Sequence, residues 1–247
     1  MARFLRNRAR LVMGLAAPML FLFVLGGGMG SAGGDLGHYQ AFLLPGMLLM
    51  IVQGPAIAVG TEIMWDRQSG FLRQMLVAPV RRGALLAGVC LGGATTGALY
   101  TLPVLALAGL CGVPYHPRLL MVLCESTLLA FALTALGAAA AVYVQRPESL
   151  QAVSGLVMAP AVMLSGAFFP VGSLPPWLGA TVLVNPLTYG VDALRRTMPL
   201  PEADVPAWFQ DSPRWWGWTP PVTLELALIV LPALAIVLLA GRRFGQE

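Results

Sequence analysis

The chain has 247 residues, 57% of them hydrophobic and only 11% charged, with a mean hydropathy of +0.77. A soluble domain carries about 25% charged residues, so this composition cannot cover a water-exposed surface and the bilayer is the expected solvent. All 15 basic residues are arginine, which excludes Schiff-base chemistry and a Walker A phosphate loop, both of which need a lysine.

Two histidines (His38, His116) and three cysteines (Cys90, Cys111, Cys124) leave little for a metal, and neither H-E-x-x-H nor C-x-x-C occurs. No cofactor or metal is expected on this chain, and the cysteines read as small hydrophobes. The formal charge of +4 does not point to nucleic acid, because the arginines stand beside apolar runs along the whole chain, where membrane topology accounts for them.

Charge-poor windows place six spans near 11–28, 40–60, 84–109, 119–143, 150–169 and 222–241. Each holds the ~20 apolar residues that cross a bilayer as a helix at about 1.5 Å per residue. The stretch Arg3–Arg10, the apolar run after it and the small residues Gly26–Gly34 also fit the layout of a secretory signal peptide. The window after 149 is long enough for two spans, but Pro170, Pro175, Pro176 and Pro186 break its second half. One span followed by a re-entrant or surface-lying stretch fits better. With the termini inside, Arg3, Arg6, Arg8, Arg10, Arg67, Arg73, Arg81, Arg82, Arg146, Arg242 and Arg243 are cytoplasmic and only Arg118, Arg195, Arg196 and Arg214 lie outside. The positive-inside bias therefore puts both termini in the cytoplasm.

Two segments outside the spans carry information. Thr61–Arg82 reads TEIMWDRQSGFLRQMLVAPVRR. Within it Phe71, Leu72, Met75 and Leu76 recur at helical spacing, with Gly70 as an entry and Pro79 as a stop, so residues 71–78 predict a short helix. A helix this short needs a surface to dock on: the inner leaflet, with Arg73, Arg81 and Arg82 on lipid phosphates, or a cytoplasmic partner. The second segment, Met163–Thr197, is apolar yet broken by prolines. Its backbone groups need partners, as a closed cap on the bundle or as an outer gate.

Both segments resemble the membrane subunit of ABC-2 type transporters, the family that includes drug-resistance, lipid and polysaccharide export permeases. Glu62, Asp66 and Arg67, then Gly70-Phe-Leu-Arg-Gln-Met-Leu-Val-Ala-Pro79, look like the family's inner loop after the second span. Leu164-Ser-Gly-Ala-Phe-Phe-Pro170, Leu174-Pro175, Asn185-Pro-Leu-Thr-Tyr189 and Leu194-Arg195 look like its signature before the last span. The resemblance covers nearly the whole chain and makes the first span integral. It implies an all-α polytopic domain over residues 1–247, six spans, N-in and C-in, in the cell inner membrane. It implies that residues 71–78 are a coupling helix seated in a separate ATP-binding subunit, with Glu62, Arg67, Gly70, Phe71, Leu72, Arg73, Met75, Leu76 and Pro79 in the coupling surface. Residues 3–10 would belong to an amphipathic helix along the inner interface. Residues 170–196 would cap the path as outer helices, with Gly166, Phe169, Pro170, Leu174, Pro175, Asn185, Pro186 and Tyr189 in the gate. Two ATP-binding subunits, holding ATP and Mg, would pair with two copies of the permease or two related chains.

Single residues add detail. Glu125 and Glu225 interrupt apolar runs near the outer side, where a carboxylate costs less than the ~3 kcal/mol of mid-membrane. Each is read as structural, reaching the interface or pairing with Arg118 or Arg214. The competing reading puts Glu125 on a path for a cationic substrate or protons, with Met47, Met158 and Met163 as a greasy lining. Trp177, Trp215, Trp216 and Trp218 read as an interfacial belt. Pro45, Pro55, Pro103, Pro160 and Pro232 supply bends, and Gly88-x-x-x-Gly92 and Gly93-x-x-x-Gly97 allow close helix approach, more within one subunit than at a dimer seam. The expected function is outward movement of a hydrophobic or amphipathic substrate by a permease that has no ATPase site of its own. An ion-coupled carrier using Glu125 and a non-transporting membrane anchor for a cytoplasmic partner are the alternatives.

Overall fold

The computed structural model describes residues 8–31, 36–68, 82–144, 146–173, 175–200, 212–215 and 217–243. Among these residues the chain is helical apart from turns and one backbone bridge between Trp215 and Trp218. Helix α1 covers Arg8–Ser31, α2 Leu36–Gln68, α3 Arg82–Ala106, α4 Arg118–Tyr143 and α5 Pro147–Met163. They are followed by the short helices α6 (Pro176–Val184) and α7 (Pro186–Thr197), and by α8 (Val222–Arg243). Four helices are long and apolar enough to cross a bilayer, over Tyr39–Asp66, Gly83–Ala106, Arg118–Ala141 and Val222–Leu239. α1 adds a shorter apolar stretch, Gly14–Gly28, and α5 has 17 residues.

The helices differ from the expected spans at two places, each for a local reason. Where a span over 150–169 is expected, α5 starts earlier with Pro147 in its first turn and ends at Met163. There Leu164 and Ser165 bond back to the carbonyls of Pro160 and Val162, and Gly166 adopts a left-handed φ of 75° that ends the helix. A side chain at Gly166 would also press on Val171 at 2.9 Å. At the other place α2 does not stop near residue 60 but runs through Gln68, 33 residues in all.

α2 is the central element. Ala41 through Leu49 are buried on every side, because α2 is packed by α1, α3, α4, α5 and α7, and a helix so surrounded can be apolar all round. Phe42, Leu43, Leu48 and Val52 form the core with Tyr100 and Val104 of α3, Leu129 and Leu133 of α4, Leu194 of α7, and Ile229 and Val237 of α8. Small residues set the helix spacing. Gly93 and Gly97 of α3 face Thr134 and Ala130 of α4, and a Cβ on Gly60 of α2 would sit 2.7 Å from the Gly137 carbonyl of α4. The second glycine pair of α3 thus packs inside the subunit, whereas Gly88 and Gly92 have no neighbour within 4 Å of an added Cβ. Three hydroxyls of α4 are satisfied locally: Ser126, Thr127 and Thr134 each donate to the carbonyl four residues back, at 2.7 Å.

Candidate functional site

The two short helices are fastened by a set of specific side-chain bonds. α7 begins with Asn185, whose side-chain oxygen accepts from the Leu187 N–H at 3.1 Å, and Pro186 occupies the first turn where no N–H is needed. The Asn185 amide also donates to the Ala161 carbonyl at 2.6 Å, tying α7 to the last turn of α5. Two further bonds fasten the α6–α7 corner: Thr188 Oγ1 to the Val182 carbonyl at 2.8 Å and Tyr189 Oη to the Leu183 carbonyl at 2.6 Å. Trp215 closes it from outside, donating Nε1–H to Tyr189 Oη at 2.8 Å with its ring edge-on at 5.8 Å between centroids. Leu187 through Arg195 are all buried.

The last turns of α7 carry charge into that buried setting. Arg195 donates Nη2–H to the Gly166 carbonyl at 2.6 Å and lays its guanidinium 4.1 Å from the Phe42 ring centroid. Arg196 faces the opposite way, donating to the Pro220 carbonyl at 2.7 Å and to Glu225 Oε1 at 3.4 Å, with Asp192 Oδ2 3.8 Å away. Thr197 donates to Glu125 Oε1 at 2.7 Å. Burial, before all else, pushes the Asp192 carboxyl above the usual carboxylate range. Its hydrogen bonds with Glu225 and Ser212 and the fields of Arg195 and Arg196 act the other way. The arrangement pins α7 simultaneously to α2, the turn after α5, α4 and α8.

The residues expected in the gate are distributed around this core. Gly166, Asn185 and Tyr189 are brought into it. Phe169 points outward at 51% exposure, Pro170 is half-buried, and Pro175 and Pro186 are exposed at the starts of α6 and α7. Leu174 lies outside the described residues. Of the residues expected along a substrate path, Met47 and Glu125 are buried, Met158 is half-buried and Met163 is exposed. Glu225 is fully buried, and its basic partner is Arg196 rather than Arg118 or Arg214. Asp192, Arg196 and Thr197 were not singled out in the sequence; the Asp192–Arg196 spacing of four on a helix opened by Asn-Pro is the signal that marks them. At the other end of the bundle, Glu62 is exposed on α2 and Arg67 lies in its last turn. Gly70, Phe71, Leu72, Arg73, Met75, Leu76 and Pro79 lie outside the described residues, as do residues 3–7 of the 3–10 amphipathic segment.

The arrangement is a helical membrane bundle with a braced two-helix cap, and among the described residues no group of three or more His, Cys, Asp or Glu side chains is placed to hold a metal ion. The family model for ABC-2 type transporters matches residues 1–198. Nodulation protein J of Rhizobium leguminosarum bv. trifolii is 29% identical over 188 residues, 74% of this chain and 72% of its own. The inner membrane transport permease YadH of Escherichia coli K12 is 28% identical over 181 residues, 71% of this chain and 70% of its own. A probable doxorubicin resistance ABC transporter permease, DrrC of Mycobacterium tuberculosis, is 26% identical over 202 residues, 79% of this chain and 72% of its own. A polytopic helical chain matched over both its lysine-free inner segment and its cap thus belongs to the ABC-2 type transporter family, among membrane transport permeases.

Proposed function

We propose that this chain is the membrane-spanning permease of an ATP-driven exporter, paired with a second copy of itself or a related permease and driven by two copies of a separate ATP-binding subunit. The observation that carries the reading is the family match over residues 1–198, which takes in the 61–82 segment and the α6–α7 cap together. The lack of lysine agrees with it, since the motor is then another polypeptide. α1 and α5 join the four long helices to give six crossings with both termini in the cytoplasm, and eleven arginines on that side support the orientation. Residues 71–78 seat in the ATP-binding subunit, and α2, continuous to Gln68, passes their displacement into the bundle. The cap then acts as the outer gate of a path through the inner membrane. The cargo is a hydrophobic or amphipathic molecule, a drug, lipid or lipid-linked glycan; the doxorubicin resistance in one relative's name favours a drug.

The test is purification from native membranes in mild detergent. A P-loop ATPase of roughly domain size is expected to copurify, and Leu76→Asp is expected to remove it while membrane insertion stays intact. Retention of the ATPase by that variant overturns the seating of residues 71–78. A chain that purifies alone and shows no nucleotide-dependent transport overturns the exporter reading.

A further inference from the structure

The turn that follows α5 is non-helical backbone, and Ser165, Ala167 and Phe168 within it are buried. Backbone of this kind at membrane depth needs protein groups to satisfy its carbonyls. The Phe168 carbonyl accepts from Tyr39 Oη at 3.3 Å, and the Gly166 carbonyl from Arg195, whose guanidinium lies over the Phe42 ring. Between these ties Gly46 lets the turn approach the helix: a Cβ there would stand 2.8 Å from the Ala167 carbonyl oxygen and 2.9 Å from its Cα. Tyr39, Phe42 and Gly46 are spaced by three and four positions, so they fall within about 60° of arc on one face of α2. That face is a seat for the turn.

The same helix carries the seat toward the inner side without a break. From Phe42 it runs to Gln68, about 39 Å at ~1.5 Å per residue. Pro55 lies on the way and would invite a bend, but beyond it Gly60 is braced on α4. A shift of α2 that left the turn behind would take the Phe168 carbonyl from its donor, draw Phe42 from under Arg195 and press Gly46 on Ala167. Stranding buried polar groups is costly, so the turn travels with the helix. α7 follows, because Arg195 belongs to it and holds the Gly166 carbonyl.

We infer that Tyr39, Phe42 and Gly46 are positioning residues for the outer gate: a stroke entering at the inner end of α2 takes hold of the turn 165–169, and through it of α7, at this seat. The inference rests on the permease reading above and adds the place where α2 grips the cap.

The test takes the complex purified in mild detergent and reads two quantities: ATP turnover, and the rate at which a maleimide modifies Val184→Cys with and without AMP-PNP. Val184 is an exposed cap residue, and Cys124→Ser removes the exposed native thiol while Cys90 and Cys111 stay buried. With the seat intact, nucleotide should change that rate at least about fivefold. Phe42→Leu removes the ring under Arg195 and keeps the position apolar. It should bring the change below about twofold while turnover stays within about twofold. Phe42→Tyr keeps the ring face and should retain the response, as should Leu44→Met, a volume-conserving change at a buried position on the opposite face of α2. A response that survives Phe42→Leu, falls only in step with turnover, or is abolished equally by Leu44→Met overturns the seat and leaves the permease standing. So does a wild-type cap that ignores nucleotide beside an active ATPase. Should Phe42→Leu fail to assemble, Tyr39→Phe decides by the same readings: a reduced response with turnover kept upholds the seat, and an unchanged response overturns it. A chain with which no ATPase copurifies overturns the permease reading, and the seat with it.

Discussion

Arg196 lies between two buried acids, 3.8 Å from Asp192 Oδ2 and 3.4 Å from Glu225 Oε1. One guanidinium thus faces two carboxyl groups away from water, and like charges so placed disfavour each other's ionisation. Removing the arginine leaves both without a basic partner on this side: Arg196→Ala should destabilise the protein by about 2–3 kcal/mol, less than a fully buried pair costs because Arg196 keeps some access to water. Glu225→Gln should cost under about 1 kcal/mol, because the amide oxygen still accepts from Arg196 and one of two like charges is gone. Thermal unfolding in detergent checks the order, and a larger loss for Glu225→Gln would defeat this account. The sequence shows Glu125 and Glu225 as isolated carboxylates in apolar runs, which is why they attract notice. It does not show their partners, because Thr197 and Arg196 stand 72 and 29 residues away and only packing selects them from the arginines available.

The elements were more legible than the contacts between them. A helix is a local object, so the charge-poor windows and the prolines give α1, α3, α4 and α8 to within a turn or so, while α2 runs on past its expected end near residue 60 to Gln68. The end of α5 was harder. Pro160 is tolerated inside it, and the stop falls on Gly166, a residue that in sequence looks like any other small membrane residue. α6 and α7 were readable only as a broken stretch, since helices of nine and twelve residues hold their shape by tertiary packing. Asn185 tests that dependence. Asn185→Ala loses both the cap to Leu187 and the tie to Ala161, and should cost about 2 kcal/mol. Asn185→Asp keeps the cap alone and should fall about midway. Equal losses for the two variants, read from thermal midpoints, would mean that the cap contributes nothing.

At the scale of the molecule, the cap is expected to be a gate only when two subunits face each other, and cross-linking reports on that. On a Cys124→Ser background, which removes the exposed native thiol while leaving Cys90 and Cys111 buried, a cysteine at Val184, 83% exposed, should be bridged to its counterpart by a bifunctional maleimide. Export should fall to background with the bridge in place and return when a cleavable linker is cut; undiminished export by the bridged pair refutes the gate. The 71–78 segment is the part of the proposed coupling surface that the sequence marks most plainly, through its glycine entry and proline stop. The braced cap is the part that only three dimensions supply. The glycine contacts of α2, α3 and α4 have a mechanical meaning as well. Where Gly60 meets Gly137, main chain rests on main chain, and no side chain between them can change rotamer to take up slip. α2 and α4 are therefore expected to shift only as one body, so that a displacement delivered at the inner end of α2 reaches α4 undiminished.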